Sequence, residues 1–206
     1  LSPEAMTKLC YAGPLYFDFD STDAELVLNK FKDFCARLVD EFLVDMEQCR
    51  LYATGGRGFH LEIPMPMFCS KVPRDGIEML PLIFREIASH LAVDTLDMRI
   101  YSVRKGRMWR TPNVERTNGH YKVPITYQEL LELTTESVDT ITSTPRQVTT
   151  KPPLINADLE LLFASKQQFV AERLAKRTKI KIDPDAKRKS ESASVLLAMS
   201  GVGLKE

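Results

Sequence analysis

Two short segments carry the residues whose types and spacing could do chemistry. In the first, Asp18 and Asp20 stand at alternate positions of the apolar run 16–20. Side chains alternate between the two faces of a strand, so both carboxylates are predicted on one face. Like charges on a buried strand are costly, and a divalent cation between their oxygens is the usual remedy. The simpler alternative is a strand end at which Asp20 caps the following helix.

The second segment is a glycine-rich turn at 53–60 that carries Thr54, Arg57 and His60. Such a turn exposes backbone N–H groups and a guanidinium, which suits a phosphate. It lacks the ending of a P-loop, and its glycines alone indicate tight turns or the close approach of another segment. His60 alone would more often be a partly buried core residue. A metal site beside a phosphate site would indicate phosphoryl-transfer chemistry.

A third group is basic and lies between residues 104 and 122, where Glu115 is the one acidic residue. Its members are Arg104, Lys105, Arg107, Arg110, Arg116 and Lys122. Charge runs of this kind are usually a solvated face. The functional alternative is a cradle for a triphosphate or for a template backbone.

Local patterns predict the elements that position these groups. The pattern Thr22-x-x-Glu25 is a capping box at the start of a helix of roughly 22 residues. Strands are predicted at 15–19, 51–53, 59–64 and 96–103, and a further helix is predicted over 76–91 with Pro81 as a weak point. Asp97 begins the fourth of these strands and is the candidate third carboxylate, with Asp94 as its nearest competitor. The third carboxylate would strengthen the case for a metal site.

The second half of the chain contains clear turn and cap signals. Asn118-Gly119 predicts a hairpin turn, and Thr126-x-x-Glu129 predicts a capped helix over 127–133. The Thr-, Ser- and Pro-rich stretch 134–153 is typical of a linker, and an amphipathic helix is predicted from Asn156. Residues 166–189 form a basic tail.

Composition limits the function classes. The chain has 206 residues, 44% hydrophobic and 27% charged, which suits one or two soluble domains. With 28 basic and 28 acidic residues, bulk charge does not indicate a polyanion-binding protein. The four cysteines form no C-x-x-C pair, so we expect no zinc and reduced thiols in the cytoplasm. No run is long enough to cross a bilayer, no signal peptide is evident, and the start at Leu1 suggests a segment of a longer protein.

Taken in order, these segments resemble the catalytic core of the archaeo-eukaryotic primase superfamily, especially primase-polymerases of bacterial, phage and plasmid origin. Asp18-Phe19-Asp20 resembles the first metal-binding motif, and 54–60 is similar to the second, S-G-x-R-G-x-H. Leu96-Asp97 resembles the third motif. The stretch 110–125 is similar to the family's R-x-P-N-T-x-H-x-x-T-G-x-Y-K-I-P-L pattern. The resemblance covers roughly residues 10–130.

The resemblance implies a role for each matching residue. Asp18, Asp20 and Asp97 would bind two divalent cations, Mg²⁺ or Mn²⁺. The incoming nucleotide's phosphates would be held by Thr54, Arg57, His60, Arg110, Arg116 and Lys122. Thr54 replaces the usual serine and keeps its hydroxyl. Arg116 replaces the usual histidine, so only a cationic phosphate contact is carried over.

The implied fold is α+β, with an N-terminal αβ unit packed on an RRM-like module, the active site in the cleft, and a C-terminal helical extension. We expect a catalytic core over 1–150 and a basic helical extension or linker over 151–206. The expected function is template-directed nucleotidyl transfer by a DNA primase or primase-polymerase. Its partners would be nucleoside triphosphates, a single-stranded DNA template and a primer, with a helicase or other replication domain outside this segment, and no membrane.

Two alternatives stay open. A non-catalytic single-strand-binding module would use the basic hairpin and tail without chemistry, but it would not need three carboxylates near its anion site. A replication-initiator nuclease would need a His-hydrophobic-His pair and a nucleophilic tyrosine. His60-Leu61-Glu62 supplies one of those two histidines.

Overall fold

The computed structural model describes residues 10–101 and 110–180, with side chains described as far as residue 176. One antiparallel sheet contains the strands β1 (Leu15–Phe19), β2 (Arg50–Ala53), β3 (Phe59–Ile63) and β4 (Val123–Ile125), in the order β1-β3-β2-β4. The helices of the described residues are α1 (Ala24–Phe42), α2 (Leu80–Leu91), α3 (Tyr127–Glu132), α4 (Thr135–Thr142) and α5 (Ala157–Ile180). The expected α+β class is confirmed at this level.

The two faces of the sheet differ in chemistry. Phe17 and Phe19 of β1 are fully buried, and their rings lie 4.9–5.0 Å from those of Phe31 and Phe34 on α1. Because side chains alternate along a strand, Asp18 lies on the opposite face. The register pairs Asp18 with His60, and His60 with Tyr52 on the next strand. The face away from α1 is therefore the polar face.

Helix α1 follows β1 directly, as predicted, but its cap differs by one residue. The Asp23 side chain accepts from the Leu26 N–H at 2.9 Å, so Asp23 and not Thr22 is the N-cap. An aspartate is as good a cap as a threonine, and the backbone of Asp23 is extended as a cap requires. The cap at Thr126 is confirmed, since both hydrogen bonds of its capping box with Glu129 are present.

Helix α2 is shorter than the predicted 76–91 and begins at Leu80. Pro81 lies in its first turn. A proline is tolerated there because the first N–H groups of a helix have no intrahelical acceptor. Pro81 therefore marks the beginning of the helix and is not a weak point inside it.

The predicted strand at 96–103 is wrong over the part that the structure describes. Leu96 makes one isolated bridge to Phe19, and a 3-10 helix follows at Met98–Tyr101. The Asp97 side chain accepts from the Arg99 backbone N–H at 2.8 Å, and this local bond turns the chain out of the sheet. Residues 102 and 103 lie outside the described residues.

The stretch 134–153, predicted as a linker, contains α4. Thr134 caps this helix, and the Thr142 carbonyl accepts from the Tyr121 N–H at 2.8 Å. The Asn113 side chain exchanges two hydrogen bonds with the Arg146 backbone, at 2.8 and 3.1 Å. Polar side chains that cap and bridge thus order a segment whose composition resembles a linker.

Contacts divide the chain into a unit over 1–167 and a second over 168–206. Segment 151–167 packs within the first unit: Leu154 N–H donates to the Gln48 side chain at 2.7 Å, and the Phe163 ring lies 5.2 Å from that of Phe68. The described part of the second unit is the last portion of α5. The division into a catalytic core over 1–150 and an extension over 151–206 stays a prediction. Among the described residues, no helix has the length and apolar character to span a membrane.

Candidate functional site

The two segments with the carboxylates run side by side at the end of β1. The Asp97 N–H donates to the Asp18 carbonyl at 2.8 Å, and the Asp20 N–H donates to the Thr95 carbonyl at 3.0 Å. The backbone therefore brings Asp97 next to the Asp18–Asp20 pair, although 77 residues of sequence separate Asp20 from Asp97. This pairing persists for only three residues, because Asp97 then turns the chain.

A pocket of about 180 Å³, here named the arginine pocket, opens at this end of the sheet. It is lined by Asp18, Asp20, Thr54, Gly56, Arg57, Gly58, His60, Arg110 and Arg116. The strand with two carboxylates, the glycine-rich turn and the basic hairpin region thus meet at one place. Seven of the nine residues predicted as site residues from the sequence line this pocket.

Carboxylates and cations line the arginine pocket together. The His60 Nε2 lies 3.2 Å from the Asp18 Oδ1, and both side chains are largely buried. Asp20 is exposed and follows the last residue of β1. Arg57 is also exposed, and its guanidinium donates to the Thr22 carbonyl at 3.4 Å. One ligand in this pocket would therefore meet both carboxylates and guanidiniums.

The hairpin around Asn118-Gly119 is docked on the glycine-rich turn. Glu115 and Tyr121 form the predicted antiparallel bridge. The Arg116 guanidinium donates to the Thr54 carbonyl at 2.7 Å, and the Asn118 side chain donates to the Gly55 carbonyl at 2.9 Å. These bonds hold Arg116 at the pocket wall. Burial, and to a smaller extent the neighbouring Arg110 charge, lower the pKa of Arg116, while the Asp20 charge raises it.

A second pocket of about 370 Å³, here named the Asp97 pocket, adjoins the first and shares Asp20 and Arg57 with it. It is lined by Asp20, Ser21, Thr22, Arg57, Asp94, Thr95, Leu96, Asp97 and Arg99. Asp94, the competitor for the third carboxylate, lines this pocket together with Asp97. The two pockets place Asp20 at their common border.

The Asp97 carboxylate is bound by Arg99. The Arg99 Nε donates to Oδ1 at 2.9 Å, and a terminal nitrogen donates to Oδ2 at 3.2 Å. The hydrogen bonds that Arg99 donates to Asp97 and the charge of that carboxylate, with smaller contributions from Asp18 and Asp20, raise the pKa of Arg99. Within the described residues, no three His, Cys, Asp or Glu side chains are placed to hold a metal ion together. The three-carboxylate site that the resemblance implies is therefore not formed in this arrangement.

Lys122 does not line the arginine pocket. Its side chain is fully buried, and its Nζ donates to the Arg110 carbonyl at 3.1 Å. The same Nζ lies 4.1 Å from the centre of the Tyr52 ring and 3.9 Å from a Glu62 carboxylate oxygen. Burial lowers the pKa of Lys122 to about 8, against the raising effect of Glu62. These contacts place Lys122 behind the pocket, where it anchors the backbone that carries Arg110.

The glycine-rich turn is shaped by neighbouring backbone as well as by the pocket. A Cβ on Gly58 would lie 2.5 Å from the Phe19 carbonyl oxygen, and a Cβ on Gly55 would lie 2.5 Å from that of Tyr121. Gly55 also has a positive φ of 67°. Both glycines are therefore required by the close approach of β1 and of the hairpin to the turn.

We expect Gly58→Ala to lower the free energy of unfolding by about 2 kcal/mol, because backbone must move to admit the methyl group. Urea denaturation measures this. The matched control is Gly13→Ala, since no atom lies within 4 Å of a Cβ at that position. The control should change stability by less than about 0.5 kcal/mol. Equal effects at both positions would contradict the close approach of β1 to the turn.

Sequence patterns missed two residues at this site. The first is Arg99, whose signal in the sequence is the spacing Asp-x-Arg. This spacing permits the arginine side chain to contact the aspartate two residues before it. Thr95 is buried at the border of the Asp97 pocket, and its hydroxyl has no hydrogen-bond partner in the described ranges. Nothing in its sequence context indicated this. Arg104, Lys105 and Arg107 lie outside the described residues.

Comparisons of this chain with protein-family models, with curated proteins and with solved structures found no match.

Proposed function

We propose that this chain is a template-directed nucleotidyltransferase, a DNA primase or primase-polymerase with the core fold of the archaeo-eukaryotic primase superfamily. The observation that carries the proposal is the arginine pocket. It combines two carboxylates of one strand end with three arginines, a histidine and the glycine-rich turn. These are the groups that a metal-bound triphosphate requires, and they come from three separate parts of the sequence.

The three arginines that line the arginine pocket would bind the triphosphate. Arg57 and Arg110 are exposed at the pocket, while Arg116 is fixed by its bond to Thr54. The positive charges of these three arginines would neutralise the phosphates and fix the orientation of the triphosphate. The Thr54 hydroxyl and His60 would add polar contacts at the floor of the pocket. Lys122 acts here as a positioning residue for Arg110 rather than as a phosphate contact.

Asp18 and Asp20 would lie near the phosphate at which the reaction takes place. The proposed cofactor is Mg²⁺ or Mn²⁺, which when bound would activate a 3′-hydroxyl and stabilise the departing pyrophosphate. Asp18, Asp20 and Asp97 would be the donors for it once Asp97 is released from Arg99, and oxygen donors suit these hard cations. Without a cation, Asp18 and Asp20 would repel a triphosphate in the same pocket, which is why their presence favours metal-assisted chemistry over simple anion binding.

The direct test is nucleotide incorporation on primed and unprimed single-stranded DNA, with Mg²⁺ or Mn²⁺ and either ribo- or deoxyribonucleoside triphosphates. The proposal expects products that depend on template and on divalent cation. Metal-independent binding of DNA with no incorporation would instead favour the single-strand-binding module.

Arg110→Gln should separate nucleotide binding from chemistry. Loss of one charge-assisted phosphate contact should raise the KM for nucleotide about tenfold or more, with a smaller change in kcat. Arg110 is the clean position because its side chain is exposed, whereas the Arg116 side chain supports the turn through its bond to Thr54. The matched control is Arg37→Gln on α1, where the arginine pairs with Glu41 at 3.1 Å. An unchanged KM in Arg110→Gln would remove Arg110 from the nucleotide site.

A further inference from the structure

The Asp97 carboxylate is the best-covered acidic group at the site. Both of its oxygens accept hydrogen bonds from Arg99: Oδ1 from the backbone N–H at 2.8 Å and from Nε at 2.9 Å, and Oδ2 from a terminal nitrogen at 3.2 Å. The Asp97 side chain is 13% exposed, whereas that of Arg99 is 82% exposed. The exposed guanidinium thus neutralises a carboxylate that has little contact with solvent.

Arg99 lies in the combined field of three carboxylates. It lines the Asp97 pocket together with Asp20, and the charges of Asp18 and Asp20 act on it in addition to that of Asp97. The Asp97 pocket is lined by three carboxylates, Asp20, Asp94 and Asp97, and by two guanidiniums, Arg57 and Arg99, so one negative charge is left uncompensated. Exchange of the Arg99 guanidinium for a divalent cation would neutralise that charge.

A divalent cation and the guanidinium compete for Asp97. Arg99 donates to Oδ1 twice and to Oδ2 once, which leaves one lone pair of the carboxylate on Oδ2. A cation bound there at about 2.0–2.6 Å would lie beside the positive guanidinium. Like charges at such separations repel strongly. Because the Arg99 side chain is mostly in solvent, it can rotate away without opening the core. The bond from the Arg99 backbone N–H to Oδ1 can persist and keep Asp97 oriented.

We propose that Arg99 is a built-in counterion that binds Asp97 when no divalent cation is present and must leave it when one enters. The proposal depends on the proposed function only for the kind of cation. It explains why the three carboxylates are adjacent in the backbone pairing but do not form one donor group within the described residues. Arg99 thereby sets the concentration of cation at which the site fills.

The test is Mn²⁺ binding without nucleotide. The concentration of free Mn²⁺ is measured from its electron paramagnetic resonance signal. We compare the full chain with Arg99→Gln, Asp97→Asn and the double variant. Arg99→Gln should bind Mn²⁺ about two- to fivefold more tightly, as expected for removal of an exposed competing ion pair. The effect should disappear in the Asp97→Asn background, and in the wild-type background it should shrink as ionic strength increases.

Two results would overturn the counterion role. If Arg99→Gln binds Mn²⁺ with equal or lower affinity, Arg99 either has no effect or orients Asp97 for the cation. If neither chain binds Mn²⁺, no competition exists. Arg37→Gln is the control for loss of an arginine, since it removes a half-buried arginine that is paired with the Glu41 carboxylate on α1. Thermal melting confirms that each variant is folded.

The binding assay and the incorporation assay fail independently. Tighter Mn²⁺ binding by Arg99→Gln, in a chain that incorporates no nucleotide, would leave the counterion in place and reject the polymerase. If the wild type incorporates nucleotide but Arg99→Gln binds Mn²⁺ with unchanged affinity, the counterion role is rejected and the polymerase proposal is supported.

Discussion

Asp18→Asn combined with Asp20→Asn should reduce nucleotide incorporation by roughly 10³-fold or more, while the chain stays folded. Asparagine keeps the shape of each side chain and removes only its charge. Both carboxylates line the arginine pocket, and Asp20 also borders the Asp97 pocket, so the substitution removes the acidic groups of the proposed phosphate site. The measurement is primer extension and primer synthesis with Mg²⁺ or Mn²⁺.

Nucleotide binding should behave in the opposite way in this double variant. With the carboxylates neutral, a triphosphate without metal no longer meets two negative charges in a pocket lined by three arginines. We therefore expect metal-free triphosphate to bind with equal or higher affinity, as measured by equilibrium dialysis. A loss of binding together with activity would instead indicate a damaged pocket.

Asp33→Asn is the matched control, because Asp33 is an exposed aspartate on α1. It should leave incorporation unchanged. Undiminished synthesis by the Asp18 and Asp20 double variant would reject the proposed nucleotidyltransferase.

Local signals predicted the elements that depend on local chemistry. The apolar spacing of α1, the alternation of β1 and the Asn118-Gly119 turn each contain their own cause within about twenty residues. The failures have equally local causes. At 96–103 the alternation favoured a strand, but the Asp97 side chain captured the Arg99 N–H and began a 3-10 turn. An apolar alternation does not reveal such competition.

The site itself was harder to predict because its geometry is non-local. The order of motifs indicated which residues belong together, and the structure brings most of them to one pocket. Their partners depend on packing. Pairing of β4 with β2 brings Lys122 against Tyr52 and Glu62, and no spacing in the sequence distinguishes this buried lysine from the exposed Arg110. The polar face of the sheet, by contrast, could be predicted from the alternation of side chains along β1.

Lys122 provides a pH-dependent test of that packing. Its side chain is fully buried, and burial lowers its pKa from 10.5 to about 8. A base with a lowered folded-state pKa loses its proton earlier in the folded chain than in the unfolded chain. Between pH 8 and pH 10.5 the unfolded chain therefore binds more protons, so this group makes stability rise with pH across that window.

We expect the difference in unfolding free energy between wild type and Lys122→Met to increase by about 3 kcal/mol from pH 7.5 to pH 10.5, and to be flat below pH 7. Comparing the two chains is necessary because burial raises the pKa of Tyr52 to about 12, and ionisation of tyrosines in the unfolded chain destabilises both variants at high pH. Urea denaturation at intervals of one pH unit gives the two curves. Lys71→Met is the control, since Lys71 is exposed and its curve should run parallel to that of wild type. Parallel curves for Lys122→Met as well would mean that Lys122 reaches solvent, and Lys122 would then be available to phosphate as a direct contact.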